Sequence, residues 1–166
     1  MIVERVELRT ERLLLRPFRP EDVRDVLAYA VDDEWRLYLL NPPQVYTRQH
    51  AEELVARYLR ADWNSNPNFA LVLDGRVVGH VGFVIDSRSR MAELGYSIAR
   101  EHWGKGLALE ATRALIDWGF ATYDLARVFA RADARNERSW RLMEKLGMTR
   151  EGLLREEWEA RRGERA

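Results

Sequence analysis

Two glycines separate a predicted strand from a predicted helix, and this junction constrains the fold more than any other segment of the chain. The segment is Ile98-Ala99-Arg100-Glu101-His102-Trp103-Gly104-Lys105-Gly106-Leu107-Ala108. Glycine tolerates positive φ angles and close approach to a ligand, and the first N–H groups of a helix lack partners and lie at its positive end. The junction therefore predicts an anion site that suits a pyrophosphate. The alternative is an ordinary glycine-rich turn into a helix, because short glycine motifs are frequent by chance.

A dinucleotide-binding loop is the competing interpretation of this junction, and three features argue against it. Leu109 stands where that motif has its third glycine. The loop follows predicted hairpins rather than the first strand of a βαβ unit, and no acidic residue closes a second parallel strand about twenty residues on. Positive charge near the glycines would come from four residues: Arg100, His102, Lys105 and Arg113.

Alternating apolar residues predict three antiparallel strands before the junction, at residues 69–73, 77–85 and 91–98. Asp74-Gly75 between the first two is a strong two-residue hairpin signal. A long amphipathic helix follows at residues 107–123, and a short buried strand at 128–132. The helix therefore forms one parallel crossover.

The remaining elements are predicted on both sides of this core: strands at residues 11–18 and 149–155, and helices at 21–30, from the N-cap Thr47 to about 63, and at 137–146. Residues 32–46 are ambiguous, with a turn or extended piece at Asn41-Pro42-Pro43. The predicted fold class is α/β, with a mixed and mostly antiparallel sheet in a single domain over residues 1–166.

Composition excludes several classes of protein. The chain has no cysteine, which excludes disulfides, zinc–thiolate sites and thiol nucleophiles. Its 27 Lys and Arg balance 27 Asp and Glu, so a broad nucleic-acid surface is disfavoured. No apolar run of about 18 residues or signal core exists, so we expect no membrane partner and a cytoplasmic location. Three scattered histidines make a catalytic metal unexpected.

A second segment downstream carries polar residues at the start of a predicted helix. It runs Asn136-Glu137-Arg138-Ser139-Trp140-Arg141-Leu142-Met143-Glu144-Lys145-Leu146-Gly147-Met148. Asn136 is a natural N-cap and Gly147 a natural helix stop. A hydroxyl one turn into a helix, as at Ser139, gives the helix no benefit. Capping for Asn136 and simple surface exposure for Ser139 are the alternatives to a functional role.

Together the two segments resemble the signature regions of the GCN5-related N-acetyltransferases (GNAT), most closely the RimJ/RimL-like branch of ribosomal-protein-alanine acetyltransferases. The resemblance rests on LRTERLLLRPFRPED, AELGYSIAREHWGKGLALEA, NERSWRLMEKLGM and EG, and covers about residues 8–155. It implies a mixed sheet whose central parallel strands splay apart. It further implies acetyl-CoA as co-substrate, bound in the splay, and direct transfer of the acetyl group to an amine.

The resemblance also assigns roles to individual residues. Glu93 would accept the proton of the amine, directly or through water, and Ser139 would protonate or hydrogen-bond the leaving thiolate. Pairing with one of the many arginines is the alternative for Glu93. Contacts to the cofactor are implied for Ile98, Ala99, Arg100, His102, Trp103, Gly104, Lys105, Gly106, Leu107, Ala108, Asn136 and Ser139.

Two departures from the family's usual residues affect these roles. Met143 stands where many members have a catalytic tyrosine, which shifts the acid role to Ser139 or water. Glu101 stands where glutamine or arginine is frequent, which removes one basic contact.

The acceptor stays open: an N-terminal amine of a ribosomal protein, a polyamine, an amino acid or a small amine drug. Trp35, Tyr38 and Tyr46 would line an acceptor pocket, or pack as a loop. His80 would line the cleft, or be a packed histidine. A non-catalytic acyl-CoA-binding or dimerisation module is the alternative function.

The end of the chain raises a question about the sheet. The resemblance implies one more strand beside residues 128–132, whereas the sequence offers only a polar turn at residues 161–165. An open edge leaves unpaired backbone groups. Three arrangements would avoid this cost. The predicted strand at residues 149–155 would shift inward and pair directly, a second chain would cover the edge, or the natural chain would be longer. We expect a homodimer whose contact includes this edge.

Overall fold

Among the residues that the structure describes, six strands form one mixed sheet in sequence order. The computed structural model describes residues 2–39 and 42–155. Neighbouring strands are antiparallel except for the parallel pair β5–β6, which confirms the predicted fold class. The strands are β1 (Leu8–Arg9), β2 (Leu14–Pro17), β3 (Asn68–Leu73), β4 (Arg76–Asp86), β5 (Met91–Ile98) and β6 (Arg127–Phe129).

Helices cover both faces of this sheet. Along β4, residues three apart point to opposite faces. His80 contacts Tyr58 of α3, whereas Phe83 faces α4, where a Cβ on Gly119 would lie 2.5 Å from the Phe83 ring. The absence of a side chain at Gly119 therefore lets α4 pack closely on β4. The helices are α1 (Val23–Ala30), α2 (Asp33–Arg36), α3 (Arg48–Arg60), α4 (Leu107–Thr122) and α5 (Glu137–Lys145). Across residues 2–39 and 42–155, none is long and apolar enough to cross a membrane.

Local sequence signals account for several boundaries. Asp74 and Gly75 both have positive φ, 49° and 78°, as the predicted hairpin turn requires. Thr47 is the N-cap of α3, as predicted. The ambiguous segment contains α2, whose N-cap Asp32 accepts hydrogen bonds from the N–H groups of Glu34 and Trp35. Asn41, in the predicted turn, and residues 161–165 lie outside the described residues.

The predicted strand at residues 149–155 is wrong. Residues 148–154 form no regular element, and the side chains of Leu153 and Leu154 are 63% and 60% exposed. A strand needs a hydrogen-bonded neighbour, and no described strand pairs with the outer edge of β6. Instead, Arg127 Nη1 donates to Glu151 Oε1 at 2.9 Å. β6 is also shorter than predicted, because the chain leaves the sheet after Phe129.

A groove of about 800 Å³ lies beside β6. Its walls are residues 127–134, residues 146–154 and side chains of α4 and α5. None of residues 98–108 lines it. The groove is therefore distinct from the glycine junction.

Candidate active site

The parallel strands β5 and β6 separate halfway along β5. Their last paired residues are Glu93 and Phe129, while β5 continues to Ile98. Ala99 N–H donates to the Val78 carbonyl at 2.6 Å, so alternate residues of β5 bond to β4. The backbone groups of Tyr96 and Ile98 therefore point away from β4. They face the gap that opens between β5 and β6.

The indole of Trp103 forms a hydrogen bond with one of these backbone groups. Its Nε1–H donates to the Ile98 carbonyl at 2.8 Å. The Ile98 N–H, like that of Tyr96, points toward the gap as a donor. Ile98 is one of the residues for which the resemblance implies a contact to the cofactor, and its N–H could stabilise an oxyanion in the gap.

The glycine loop beyond the gap has the geometry of an anion site. Gly104 and Gly106 are solvent-exposed and have positive φ angles of 74° and 77°. Gly106 is the N-cap of α4, and its carbonyl accepts the first intrahelical bond from Glu110 N–H at 3.0 Å. Because glycine has no capping side chain, the N–H groups of residues 107–109 stay open toward the loop. The loop therefore combines open donors with the positive end of a 16-residue helix.

A residue from the start of the chain holds this loop in place. Arg12 Nη1 donates to the Lys105 carbonyl at 2.7 Å, and its Nε donates to Glu110 at 2.7 Å. Glu110 also accepts from Thr10 Oγ1 and Arg12 N–H. Burial opposes ionisation of Glu110, yet the hydrogen bonds from Thr10 and Arg12 together hold its pKa below the usual value. Sequence reasoning missed Arg12, although it lies in the quoted segment LRTERLLLRPFRPED.

The first turn of α5 reaches β5 across the gap. Asn136 Oδ1 accepts from Ser139 N–H at 3.3 Å, so Asn136 does cap the helix, and its amide N–H₂ remains a donor. The Ser139 hydroxyl lies 2.7 Å from the Tyr96 hydroxyl, which also donates to the Ser139 carbonyl at 3.1 Å. Burial raises the pKa of Tyr96 against the opposing effect of the Ser139 hydrogen bond, so Tyr96 keeps its proton at neutral pH. Sequence reasoning missed Tyr96, which the alternation of β5 places on the same face as Leu94 and Ile98.

The Glu93 carboxylate is bound by Arg131. Arg131 Nε and Nη2 donate to its two oxygens at 2.8 and 3.1 Å. This pairing is the alternative that the sequence left open. The proposed base is therefore already hydrogen-bonded on both oxygens, and its catalytic role stays a prediction.

Two of the basic residues that were predicted to supply positive charge near the glycines contact other protein groups. Arg100 lies 3.3 Å from Asp32, and Arg113 Nη2 donates to the Lys145 carbonyl at 3.3 Å. His102 Nε2 lies 3.3 Å from Glu101, and its Nδ1 is buried with no hydrogen-bond partner among the described residues. Within that same part of the chain, no group of three His, Asp or Glu side chains could hold a metal ion.

His80 is a packed histidine with partners on both ring nitrogens. Nδ1 lies 2.8 Å from Ser97 Oγ, and Nε2 lies 3.2 Å from the Tyr58 hydroxyl. Burial, helped by the positive charge of Arg57, lowers the pKa of His80 to about 4. The aromatic residues of the ambiguous segment also pack together, with Trp35 5.1 Å from Tyr29 and 6.4 Å from Tyr46 between ring centroids.

Comparison with known proteins gives the family. The model for the acetyltransferase (GNAT) domain matches residues 12–149. The uncharacterized N-acetyltransferase p20 of Bacillus licheniformis is 35% identical over 153 residues, spanning 90% of this chain and 85% of that protein. The spermidine N(1)-acetyltransferase of Escherichia coli (strain K12) is 30% identical over 148 residues, spanning 87% of this chain and 76% of that enzyme.

A solved structure shares the fold at lower identity. RimL, the ribosomal L7/L12 alpha-N-protein acetyltransferase in complex with coenzyme A, superposes with a TM-score of 0.86 at 16% identity. The match covers 96% of this chain and 93% of RimL. At this identity the likeness concerns the fold.

The hydrogen-bonded His80 generates a pH-dependence of folding. Its pKa of about 4 in the folded protein lies below the unfolded value of about 6.5, so the unfolded chain binds more protons between these values. The free energy of unfolding should therefore fall as the pH drops from about 6.5 to about 4, by roughly 3 kcal/mol in all. Above pH 6.5 the residue should contribute no slope. Urea denaturation across pH 4–7 measures this, with His80→Gln as the control. Equal slopes for both proteins would contradict the prediction.

Proposed function

The chain belongs to the GNAT acetyltransferase family, and we propose that it transfers the acetyl group of acetyl-CoA directly to a primary amine. The observation that carries this proposal is the gap between β5 and β6, which opens beside an exposed glycine loop at the positive end of α4. The loop suits a pyrophosphate, and the gap offers backbone donors to an extended thioester arm. A non-catalytic acyl-CoA-binding module remains the alternative, and it would bind acetyl-CoA without consuming it in the presence of amines.

In this proposal the chain's groups act at four points. The N–H groups of residues 104–109 hold the pyrophosphate, and the Asn136 amide hydrogen-bonds the pantetheine. The Ile98 N–H stabilises the oxyanion as the amine nitrogen attacks the thioester carbonyl. When the C–S bond breaks, the Ser139 hydroxyl or water hydrogen-bonds or protonates the thiolate. Tyr96, 2.7 Å from Ser139 Oγ, orients that hydroxyl.

The amine's proton passes to Glu93, directly or through water. Arg131 already donates hydrogen bonds to both oxygens of this carboxylate, so an acceptor that loses its proton readily suits the site best. An α-amine, with a pKa of about 8, loses its proton more readily than a lysine, with a pKa of about 10.4. We therefore favour a protein N-terminal amine as acceptor. RimL, whose fold this chain shares, is named for acetylating such an amine.

Replacing Gly104 should weaken binding of CoA. Its φ of 74° places an added Cβ in open space within the loop, where we propose the phosphates lie. Gly104→Val should raise the Kd for CoA in calorimetry by at least about tenfold, or 1.4 kcal/mol.

Gly75→Val is the matched control, because Gly75 has a φ of 78° and equally open surroundings in a distant hairpin. Both variants carry the same kind of backbone penalty, so thermal unfolding should change similarly in both. Unchanged CoA affinity in Gly104→Val would contradict the pyrophosphate assignment.

Removing the Ser139 hydroxyl should slow turnover. Ser139→Ala should lower kcat by about 10²-fold if the hydroxyl is a general acid, with little change in KM for acetyl-CoA. A change of a few-fold would mean that it only orients the sulfur. Tyr96→Phe should give a smaller loss, because the ring stays and only the orienting hydroxyl is removed. Thiol release with a model peptide amine measures both, and an unchanged kcat in Ser139→Ala would refute the role.

We further propose a homodimer whose contact includes the outer edge of β6. No strand among the described residues pairs with this edge, and the apolar groove lies beside it; both observations support this proposal. Light scattering of the purified chain should give twice the monomer mass. A monomer whose β6 amides are well protected in hydrogen exchange would contradict it.

A further inference from the structure

The guanidinium of Arg138 lies over the Trp103 ring beside the glycine loop. Its guanidinium carbon is 3.7 Å from the centroid of the Trp103 ring. Trp103 is itself fixed by its hydrogen bond to the Ile98 carbonyl. The stack therefore holds a positive charge of α5 against the residue that precedes Gly104.

The position of Arg138 within α5 is not explained by helix stability. It is the second residue of the helix, whose N-cap is Asn136, and a cation at the positive end of a helix is unfavourable. Glu137 is the residue type that this end prefers, and Glu137 pairs with Arg141 at 2.9 Å, one turn on. The charge of Arg138 is therefore electrostatically unfavourable at this position of α5.

The polar edge of Arg138 faces no acceptor within the part of the chain that the structure describes. Across residues 2–39 and 42–155 its guanidinium makes the ring contact but no hydrogen bond or ion pair. By contrast, Arg12 and Arg113 donate to protein oxygens, and Arg100 pairs with Asp32. Stacking uses the face of a guanidinium and leaves its N–H groups in the plane, where they match two phosphate oxygens.

We propose that Arg138 binds a phosphate group of acetyl-CoA, with Trp103 as the platform that orients it. The inference rests on the proposed function, because it requires the cofactor to lie on the glycine loop. It adds to that site a residue that no sequence pattern assigned. The phosphate is either the pyrophosphate or the 3′-phosphate of the ribose, and both present the same chemistry to a guanidinium.

Calorimetry with CoA, 3′-dephospho-CoA and phosphate-free S-acetylpantetheine tests the proposal. Arg138→Gln should weaken CoA binding by about 10- to 100-fold, as expected for a lost charge-assisted hydrogen bond, and Arg138→Lys should weaken it less. Arg141→Gln is the matched control, since Arg141 is exposed on the next turn and pairs with Glu137. It should bind CoA like the wild type.

The ligands distinguish the two phosphates. If Arg138→Gln loses affinity for CoA but not for 3′-dephospho-CoA, Arg138 binds the 3′-phosphate. If it loses affinity for both ligands, Arg138 binds the pyrophosphate. The free Arg138→Gln protein should unfold at about the same temperature as the wild type, because the lost contact with the Trp103 ring and the removal of a cation from the positive end of α5 have opposite effects. Wild-type affinity for CoA in Arg138→Gln, or an equal loss for S-acetylpantetheine, would overturn the proposal. Failure of the wild type to bind CoA would instead refute the proposed function.

Discussion

Beyond Glu93 and Phe129 the parallel strands stop pairing, and this break leaves the backbone of Tyr96 and Ile98 facing a gap. Unpaired backbone groups beside a core are costly, so they need other partners. The Trp103 indole satisfies the Ile98 carbonyl at 2.8 Å, and the Tyr96 hydroxyl joins β5 to Ser139 of α5. The gap is therefore kept open by specific polar contacts, and the glycine loop and α5 both take their positions from it.

The contacts around the gap come from segments far apart in the chain. Arg12, before β2, holds the Lys105 carbonyl and Glu110, while Arg138 of α5 stacks on Trp103. The loop itself has two positive-φ glycines and no side chain that caps α4. Its conformation thus depends on tertiary contacts on both sides, and an anion at its centre would balance the positive charges and helix ends that meet there.

Sequence patterns predicted the features that depend on neighbouring residues. The Asp74-Gly75 hairpin, the Thr47 and Asn136 caps and the strand–glycine–helix junction all follow from local conformational preferences. Contacts that depend on strand register or on distant segments were not predictable from such patterns, and these are Tyr96–Ser139, Arg12–Lys105 and Arg138–Trp103. The strand predicted at residues 149–155 failed for a related reason. A strand also requires a neighbouring strand within reach, and none of the described strands pairs with the outer edge of β6.

On the proposed function, the groups of the site that could donate or accept protons indicate where the rate enhancement would arise. The pKa of Tyr96 is raised, and a serine hydroxyl is a weaker acid still, so neither readily gives a proton to a thiolate with a pKa near 8.5. The Glu93 carboxylate is bound on both oxygens by Arg131, so part of its hydrogen-bonding capacity is already used. What the structure supplies in quantity is fixed donors: the Ile98 N–H, the open N–H groups at the start of α4 and the paired hydroxyls of Tyr96 and Ser139. Such a site accelerates transfer mainly by holding two substrates in line and stabilising the oxyanion. Proton transfer contributes less, because the acceptor amine reaches its neutral form mainly through its own acid–base equilibrium.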